Sequence, residues 1–400
     1  GFPTLKLFAP DLGTNPYTGE PMKEVSDYAG PRSARDIAAA VTELLDERHV
    51  APLTGEADLA FATLCRDLLS GIAPRPPKLI AAPVPDVAAL AQPYDLYEDR
   101  DLAHRVVYVE ASRGCPFTCE FCLSSLDIPV RQFPLAQFLG EMERLLARGA
   151  TQFKFVDRTF NLNLMVSRAI LQFFLARMRP GLFVHFEMVP DRLPEPLREV
   201  IAQFPAGALQ FEVGVQTFDE PTSRNISRRQ DLGKLAENLT WLRTQTGVHV
   251  HADLIVGLPL DYWDDIKYSF EEVFKLFSPE LQLGFLKFLK GTPVREKYLD
   301  HGYEFDEKAP YQIIRSNYLS EEELYDITLL EHALEIYWNK PRLTHTLKYV
   351  TNQYSIFDCV IKITGMIFTN HFGRRNEKKR WQLKCQRAGK NLNGRSDHWA

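Results

Sequence analysis

The sequence predicts an α/β protein built on a parallel sheet, either open or curled into a barrel. Three observations lead there. Over 400 positions, 45% of residues are hydrophobic and 25% charged, which gives room for one barrel-sized domain or two smaller ones and excludes disorder, collagen-like repeats and a small disulfide scaffold. From Arg105 onward, short β-branched or aromatic runs alternate with amphipathic stretches, and strands separated by helices imply right-handed βαβ units. Polar residues recur at the ends of those runs, at Asp157, Glu187, Gln216 and Asp253, where α/β barrels collect their sites.

The first ~100 residues read as an appendage. Residues 1–31 are rich in Gly and Pro, and helices are predicted for Ser33 to Leu45 and Glu56 to Leu69. Pro74, Pro76, Pro77, Pro83, Pro85 and Pro93 mark an extended linker, because each proline fixes φ and removes a donor. The expected division is 1–94 for appendage and linker, 95–294 for the sheet-bearing domain, 295–370 for a helical region and 371–400 for a basic, loose tail. Strands are predicted at Val106 to Ala111, Gln152 to Val156, Phe183 to Met188, Leu209 to Val213, Val248 to Val256 and Leu281 to Leu289. Between them, helices are predicted at Leu135 to Arg148, Leu164 to Met178, Glu195 to Phe204, Leu232 to Gln245 and Trp263 to Phe277. Beyond Val294 the alternation stops, and Glu321 to Trp338 reads as a helix.

From Gly373 to Ala400 nine Lys/Arg face only Glu377 and Asp397, so the net charge of -5 divides into +7 for the tail and -12 for the body. An acidic body repels phosphates, and no nucleic-acid partner is expected. No apolar run approaches the ~18 residues of a membrane span, and the N-terminus lacks a basic segment followed by an apolar run. The expectation is a cytoplasmic protein without a membrane partner. Basic-residue usage also switches: 21 Arg and 5 Lys up to Leu258, then 8 Arg and 13 Lys. Two sequence origins joined near Pro259 would leave such a record, and uniform base composition across that junction in one genomic read would refute it.

Of six cysteines, three fall within eight residues, in Cys115-Pro-Phe-Thr-Cys119-Glu-Phe-Cys122. Disulfides between such near neighbours are strained, whereas three thiolates can serve as metal ligands in a reducing compartment. The segment follows the first predicted barrel strand, so it occupies a loop above a strand end. Three thiolates at spacings of four and three can hold three corners of a 4Fe-4S cluster and leave one iron open to a small molecule. Structural zinc, the alternative, prefers four closed ligands and often paired C-x2-C units, of which only one is present.

With that CxxxCxxC spacing, an aromatic residue before the last cysteine and Glu110-Ala111-Ser112-Arg113-Gly114 ahead of it, Val106 to about Pro293 resembles the radical S-adenosylmethionine superfamily. The resemblance implies a partial (β/α)6 TIM-like barrel, open on one side to substrate. It implies a 4Fe-4S cluster on Cys115, Cys119 and Cys122, with S-adenosylmethionine chelated at the free iron and cleaved by one electron to a 5'-deoxyadenosyl radical that abstracts a substrate hydrogen. Phe155-Val156-Asp157-Arg158-Thr159-Phe160-Asn161 resembles the segment that faces the cofactor, Asp157 included. Glu187 in Phe186-Glu187-Met188 falls where the family sets an acidic residue against the cofactor's methionine end or the substrate. Gln216 in Gly214-Val215-Gln216-Thr217-Phe218 matches a contact to the nucleoside or amino acid portion, Arg228 the group that reaches the carboxylate, and Asp253 the ribose contact. Phe121 would face adenine. The implied partners are an electron donor such as flavodoxin or ferredoxin and a substrate that no motif names.

Pro93 to Ser125, Gly55-Glu56-Ala57-Asp58-Leu59-Ala60-Phe61 and the region after Lys290-Gly291-Thr292-Pro293 resemble relatives that carry an N-terminal cobalamin-binding domain, in which cobalamin relays a methyl group. The ~70 residues before the linker are fewer than such a domain needs, and Asp-x-His-x-x-Gly is absent, so that domain reads as truncated or missing. In these relatives Gly257-Leu258-Pro259 is followed by Gly-Glu, and Leu260-Asp261 departs from it. Plainer readings stand beside each residue: Asp157 or Glu187 as a helix cap, Arg228 paired with Glu220, Gln216 as an interior hydrogen bonder, His251 as a satisfied core residue. Two other functions compete. His249, His251 and Asp253 share one strand face, as in metal-dependent barrel hydrolases; or the chain is a non-catalytic iron-sulfur relative.

Overall fold

The computed structural model describes residues 53–69, 80–126 and 129–371. The predicted helix Ser33 to Leu45, most of the basic tail and Cys385 lie outside the described residues. The chain divides into two compact units, 1–97 and 98–400. In the first, the helix Asp58–Leu69 buries Leu64 and Cys65 against Ala57, Ala60, Phe61 and Ile80, and the two-residue strands Leu53–Thr54 and Ile80–Ala81 pair in parallel.

The second unit is built on six parallel strands: β1 (Val107–Val109), β2 (Gln152–Phe155), β3 (Phe183–Met188), β4 (Leu209–Gln216), β5 (His249–Val256) and β6 (Glu280–Phe285). They lie side by side in chain order, so β1 and β6 form the two edges. Between them run α1 (Leu135–Ala147), α2 (Leu164–Leu175), α3 (Glu195–Ile201), α4 (Leu232–Gln245) and α5 (Trp263–Lys275). This is the predicted α/β alternation, a partial (β/α)6 TIM-like barrel. Burial shows why each strand sits as it does. Along β4 and β5 every second side chain is buried and its neighbour half-exposed, the period of a strand with one face under helices. The buried face is aromatic: Phe153, Phe155, Phe186 and Phe211 are essentially inaccessible, and Phe155 packs on Phe138 of α1, Phe174 of α2 and Phe186 of β3, with centroids 5.7, 6.1 and 4.4 Å away.

Element ends differ from the sequence reading where side chains or neighbouring backbone take over. Strand β1 stops at Val109 rather than Ala111 because Ala111 is held otherwise: its N–H donates to Asp157 and its carbonyl accepts from Phe133 N and Gln132 Nε2. Strand β6 stops at Phe285 because the chain turns to the C-terminal region, where Phe288 N donates to Tyr311 O. Strand β4 runs three residues further than predicted, through a bulge between Gly214 and Gln216.

The C-terminal region holds α6 (Glu321–Leu334), α7 (Thr344–Thr351) and α8 (Ile356–His371). The predicted helix to Trp338 is α-helical to Leu334 and then widens into a π-helical turn, Glu335–Asn339. That turn delivers Trp338 Nε1 to Ser278 O at 3.0 Å. It also sets the Asn339 amide across the free edge of β6, accepting from Leu281 N at 3.0 Å and donating to Leu281 O at 3.1 Å. Among the described residues no helix is long and apolar enough to cross a membrane.

Candidate active site at the C-terminal ends of the strands

The cysteine loop is held at both ends. Ser112–Arg113 pairs antiparallel with Arg131–Gln132 across its base, and Arg113 donates to both oxygens of Glu110 at 2.9 and 3.0 Å. Asp157, at the end of β2, fixes the entry: it accepts from Ala111 N at 2.9 Å and from Ser112 Oγ at 2.6 Å. It is 2% exposed, and burial, opposed by the Ser112 hydrogen bond, pushes its carboxyl up to about 7. Further out, Glu120 N donates to Ile226 O, Val294 N donates to Glu120 O, and Lys297 pairs with the Glu120 carboxylate at 2.7 Å. The loop is thereby bound to the β4–α4 connection and to the segment after β6.

Cys115, Cys119 and Cys122 line a cavity of about 230 Å³, far above the ~10–15 Å³ that one water needs, so it admits a molecule. Cys115 and Cys119 are buried and Cys122 half-buried, and burial pushes the Cys115 thiol up. The same cavity is lined by Phe121, Arg158, Glu187, Glu212, Gln216, Arg228 and Asp253. Contributions from β1's loop through β5 would span about 19 Å in a flat sheet at ~4.8 Å per strand, so the sheet curls about this space.

Strand β4 and its turn build the cavity's far wall. Gly214 leaves room for the Gln216 amide, since a Cβ there would lie 2.3 Å from Gln216 Nε2 and 3.5 Å from Arg228 Nη2. The bulge puts Gln216 at φ 71°, and its Oε1 is buried without a hydrogen-bond partner. A short helix, Glu220–Asn225, is capped by Asp219, which accepts from Thr222 N at 2.8 Å. Ser227, at φ 56°, then reverses the chain. Arg228 consequently reaches inward: its guanidinium donates to Gly214 O, sits beside the Gln230 amide and lies 3.6 Å from Cys119 Sγ. The surface pairing with Glu220 is not formed, because Glu220 binds Arg224 at 2.6 Å.

On the opposite side Arg158 bonds both oxygens of Glu187, at 3.0 and 3.2 Å, while burial still raises the Glu187 carboxyl. Asp253, also raised by burial, has Oδ1 3.1 Å from His251 Nε2. Burial alone would lower His251, but Asp253, Glu280 and Glu212 push it up to about 9.

The structure thus gathers Cys115, Cys119, Cys122, Phe121, Glu187, Gln216, Arg228 and Asp253 on one cavity and places Asp157 behind it, as a brace for the cysteine loop. Arg158 and Glu212 line the cavity without having been singled out. The two-residue alternation of β4, which puts Glu212 on one face with Gly214 and Gln216, carried the signal for the second. His249, one of the hydrolase candidates, lies outside the cavity lining and binds Glu280 at 3.0 Å. Among the described residues no three His, Cys, Asp or Glu side chains meet as ligands of one metal ion. A four-iron cluster offers each thiolate its own iron, so the cysteine arrangement suits a cluster better than a single zinc.

Residues 109–273 match the radical SAM superfamily model, and residues 299–360 match a family described as a protein of unknown function, DUF4080. The first match identifies 109–273 as a radical S-adenosylmethionine domain, the region that contains the cysteine loop, the sheet up to β5 and the cavity. No curated protein matches the chain. Among solved structures it is similar to the radical S-adenosylmethionine methyltransferase TsrM from Kitasatospora setae, with cobalamin and a [4Fe-4S] cluster bound, at 15% identity over 51% of this chain and 43% of that one, TM-score 0.45. It is similar to coproporphyrinogen III oxidase (HemN) from Escherichia coli at 18% identity over 49% of each chain, TM-score 0.39. The cobalamin-dependent enzyme OxsB, with aqua-cobalamin and S-adenosylmethionine bound, aligns at 14% identity over 61% of this chain and 38% of that one, TM-score 0.43. The chain spans less than half the length of each of these structures.

Proposed function

We propose that this protein is a radical S-adenosylmethionine enzyme whose 4Fe-4S cluster is held by Cys115, Cys119 and Cys122 and whose S-adenosylmethionine lies in the adjoining cavity. One observation carries the reading: three thiols, a fixed guanidinium and the buried, unpartnered Oε1 of Gln216 converge on one cavity at the strand ends. A buried acceptor without a donor costs about 1–3 kcal/mol, and an amine or hydroxyl of a bound molecule would satisfy it. When bound, the cluster supplies one electron that cleaves S-adenosylmethionine to a 5'-deoxyadenosyl radical for hydrogen abstraction.

The chain's own residues prepare that site. The cysteine thiols give up protons on binding iron, so loading is favoured as pH rises. Arg228, already bonded to Gly214 O, is set to receive a carboxylate without losing further freedom. Asp253 offers a carboxylate to vicinal hydroxyls, Phe121 an apolar face to adenine, and Glu187, held by Arg158, an acceptor for an amino group. An electron donor such as flavodoxin or ferredoxin and a cytoplasmic location complete the proposal. Cobalamin, and with it methyl transfer, rests on the sequence resemblance alone.

After anaerobic reconstitution, dithionite-reduced protein is expected to convert S-adenosylmethionine to 5'-deoxyadenosine, and Cys119→Ala to lose both the brown chromophore and the product. Zinc without iron or sulfide, or no 5'-deoxyadenosine with or without added cobalamin, would overturn the reading.

A further inference from the structure

The inner face of the sheet is largely polar, with Phe183 and Ile255 among its apolar exceptions. A closed barrel fills this space with branched apolar side chains. Here strand register aligns Lys154 of β2 with His185 of β3, Glu187 of β3 with Glu212 of β4, Glu212 with His251 of β5, and His251 with Glu280 of β6. Most of these ions are spent on one another: Arg158 on Glu187, and His251 on Asp253, Gln282 and Glu280. Glu212 is different. It lines the cavity one layer below Gly214, and its contacts to His185 Nε2 at 3.2 Å and Lys154 Nζ at 3.8 Å both run to Oε2. No donor among the described residues reaches Oε1. The side chain keeps 31% of its surface exposed where it lines the cavity. The His185 imidazole beside it, with Lys154 assisting against the cost of burial, holds the carboxyl at about 2, so it is an anion at every working pH. Of the carboxylates on the cavity, it is the one that the superfamily resemblance leaves without a role.

We propose that Glu212 anchors an ammonium group of the substrate, making this the site of an amine-bearing molecule. The inference rests on the functional reading above for the word substrate, but its chemistry is that of the cavity. The cavity is lined by three carboxylates, Glu187, Glu212 and Asp253, and three guanidinium groups, Arg158, Arg228 and Arg229; Glu187 is engaged by Arg158 and Asp253 by His251, so the carboxylate with an open oxygen is Glu212. A ligand group that reaches this oxygen must be a hydrogen-bond donor, and an ammonium makes the strongest such bond to a carboxylate.

Putrescine, tryptamine and glucosamine, each paired with its N-acetyl form, are to be titrated calorimetrically into reconstituted protein without S-adenosylmethionine. At least one amine is expected to bind about tenfold or more tightly than its acetylated partner, and Glu212→Gln to abolish that preference. Lys154→Gln, which removes a competing cation, should strengthen the amine, a gain that a misfolded variant cannot give. If no amine binds better than its acetyl form, or if Glu212→Gln keeps the preference, the proposal fails. Iron, sulfide and 5'-deoxyadenosine measured on the same preparation report separately on the radical-enzyme reading.

Discussion

At Asp157, burial sets a pH dependence. Its carboxyl is raised from 3.8 to about 7 in the folded protein, so the native state holds a proton that the unfolded chain has lost. The stabilisation from that proton is complete below 3.8 and disappears as pH rises through about 7, an effect on the order of 4 kcal/mol. Asp157→Asn should flatten the dependence of Tm on pH across that window, because an amide can accept from Ala111 N and donate to a turned Ser112 hydroxyl. Glu212 acts in the opposite sense: its contribution is present above 4.5 and fades as pH falls through about 2. Leu260 is a second residue-scale case. It holds φ 68°, a conformation that costs a residue with a Cβ about 1–2 kcal/mol. Leu260→Gly is expected to raise stability by roughly 0.5 kcal/mol after glycine's own entropy is counted, measurable by urea denaturation.

Strand β4 joins packing to chemistry at the scale of an element. Its bulge gives Gln216 and the Gly214 carbonyl to the cavity, while Val213 and Val215 stay buried beneath the helices. A methyl group at Gly214 would meet the Gln216 amide at 2.3 Å, an overlap relieved only by moving Gln216. Gly214→Ala should therefore weaken S-adenosylmethionine about tenfold in equilibrium dialysis while shifting stability by no more than ~1–2 kcal/mol. The π-helical turn after α6 serves the opposite edge of the sheet. Asn339→Ala removes both partners of Leu281's backbone groups, and a loss of about 1–3 kcal/mol in thermal unfolding is expected.

For the whole molecule the consequence is that the barrel's last edge belongs to the C-terminal region. Phe357 of α8 packs on Phe270 and Trp263 of α5 at 5.5 and 5.2 Å, and Trp338 on Phe274 at 4.5 Å. Deleting residues 321–400 would expose those rings together with the β6 edge, a template for strand pairing between copies. Such a deletion is expected to elute as aggregate in size-exclusion chromatography where the full chain does not.

How much was legible in the sequence follows from range. Periodicity is local, so β3 and α4 were placed to the residue, and the Cys115–Cys122 spacing marked out a loop that the fold sets on the cavity. Strand ends were less legible because distant groups settle them, as Asp157 does for Ala111 and Tyr311 for Phe288. The sequence by itself determined the α/β alternation, the cysteine loop and the polar residues at strand ends, since each depends on neighbours a few positions apart. Only the tertiary structure decided that Asp157 braces the loop from behind the cavity, that Arg228 turns to Cys119 instead of Glu220, and that Glu212 stands open in a polar interior. Those outcomes depend on which side chains curvature and strand register bring within hydrogen-bonding distance, and linear spacing does not encode that.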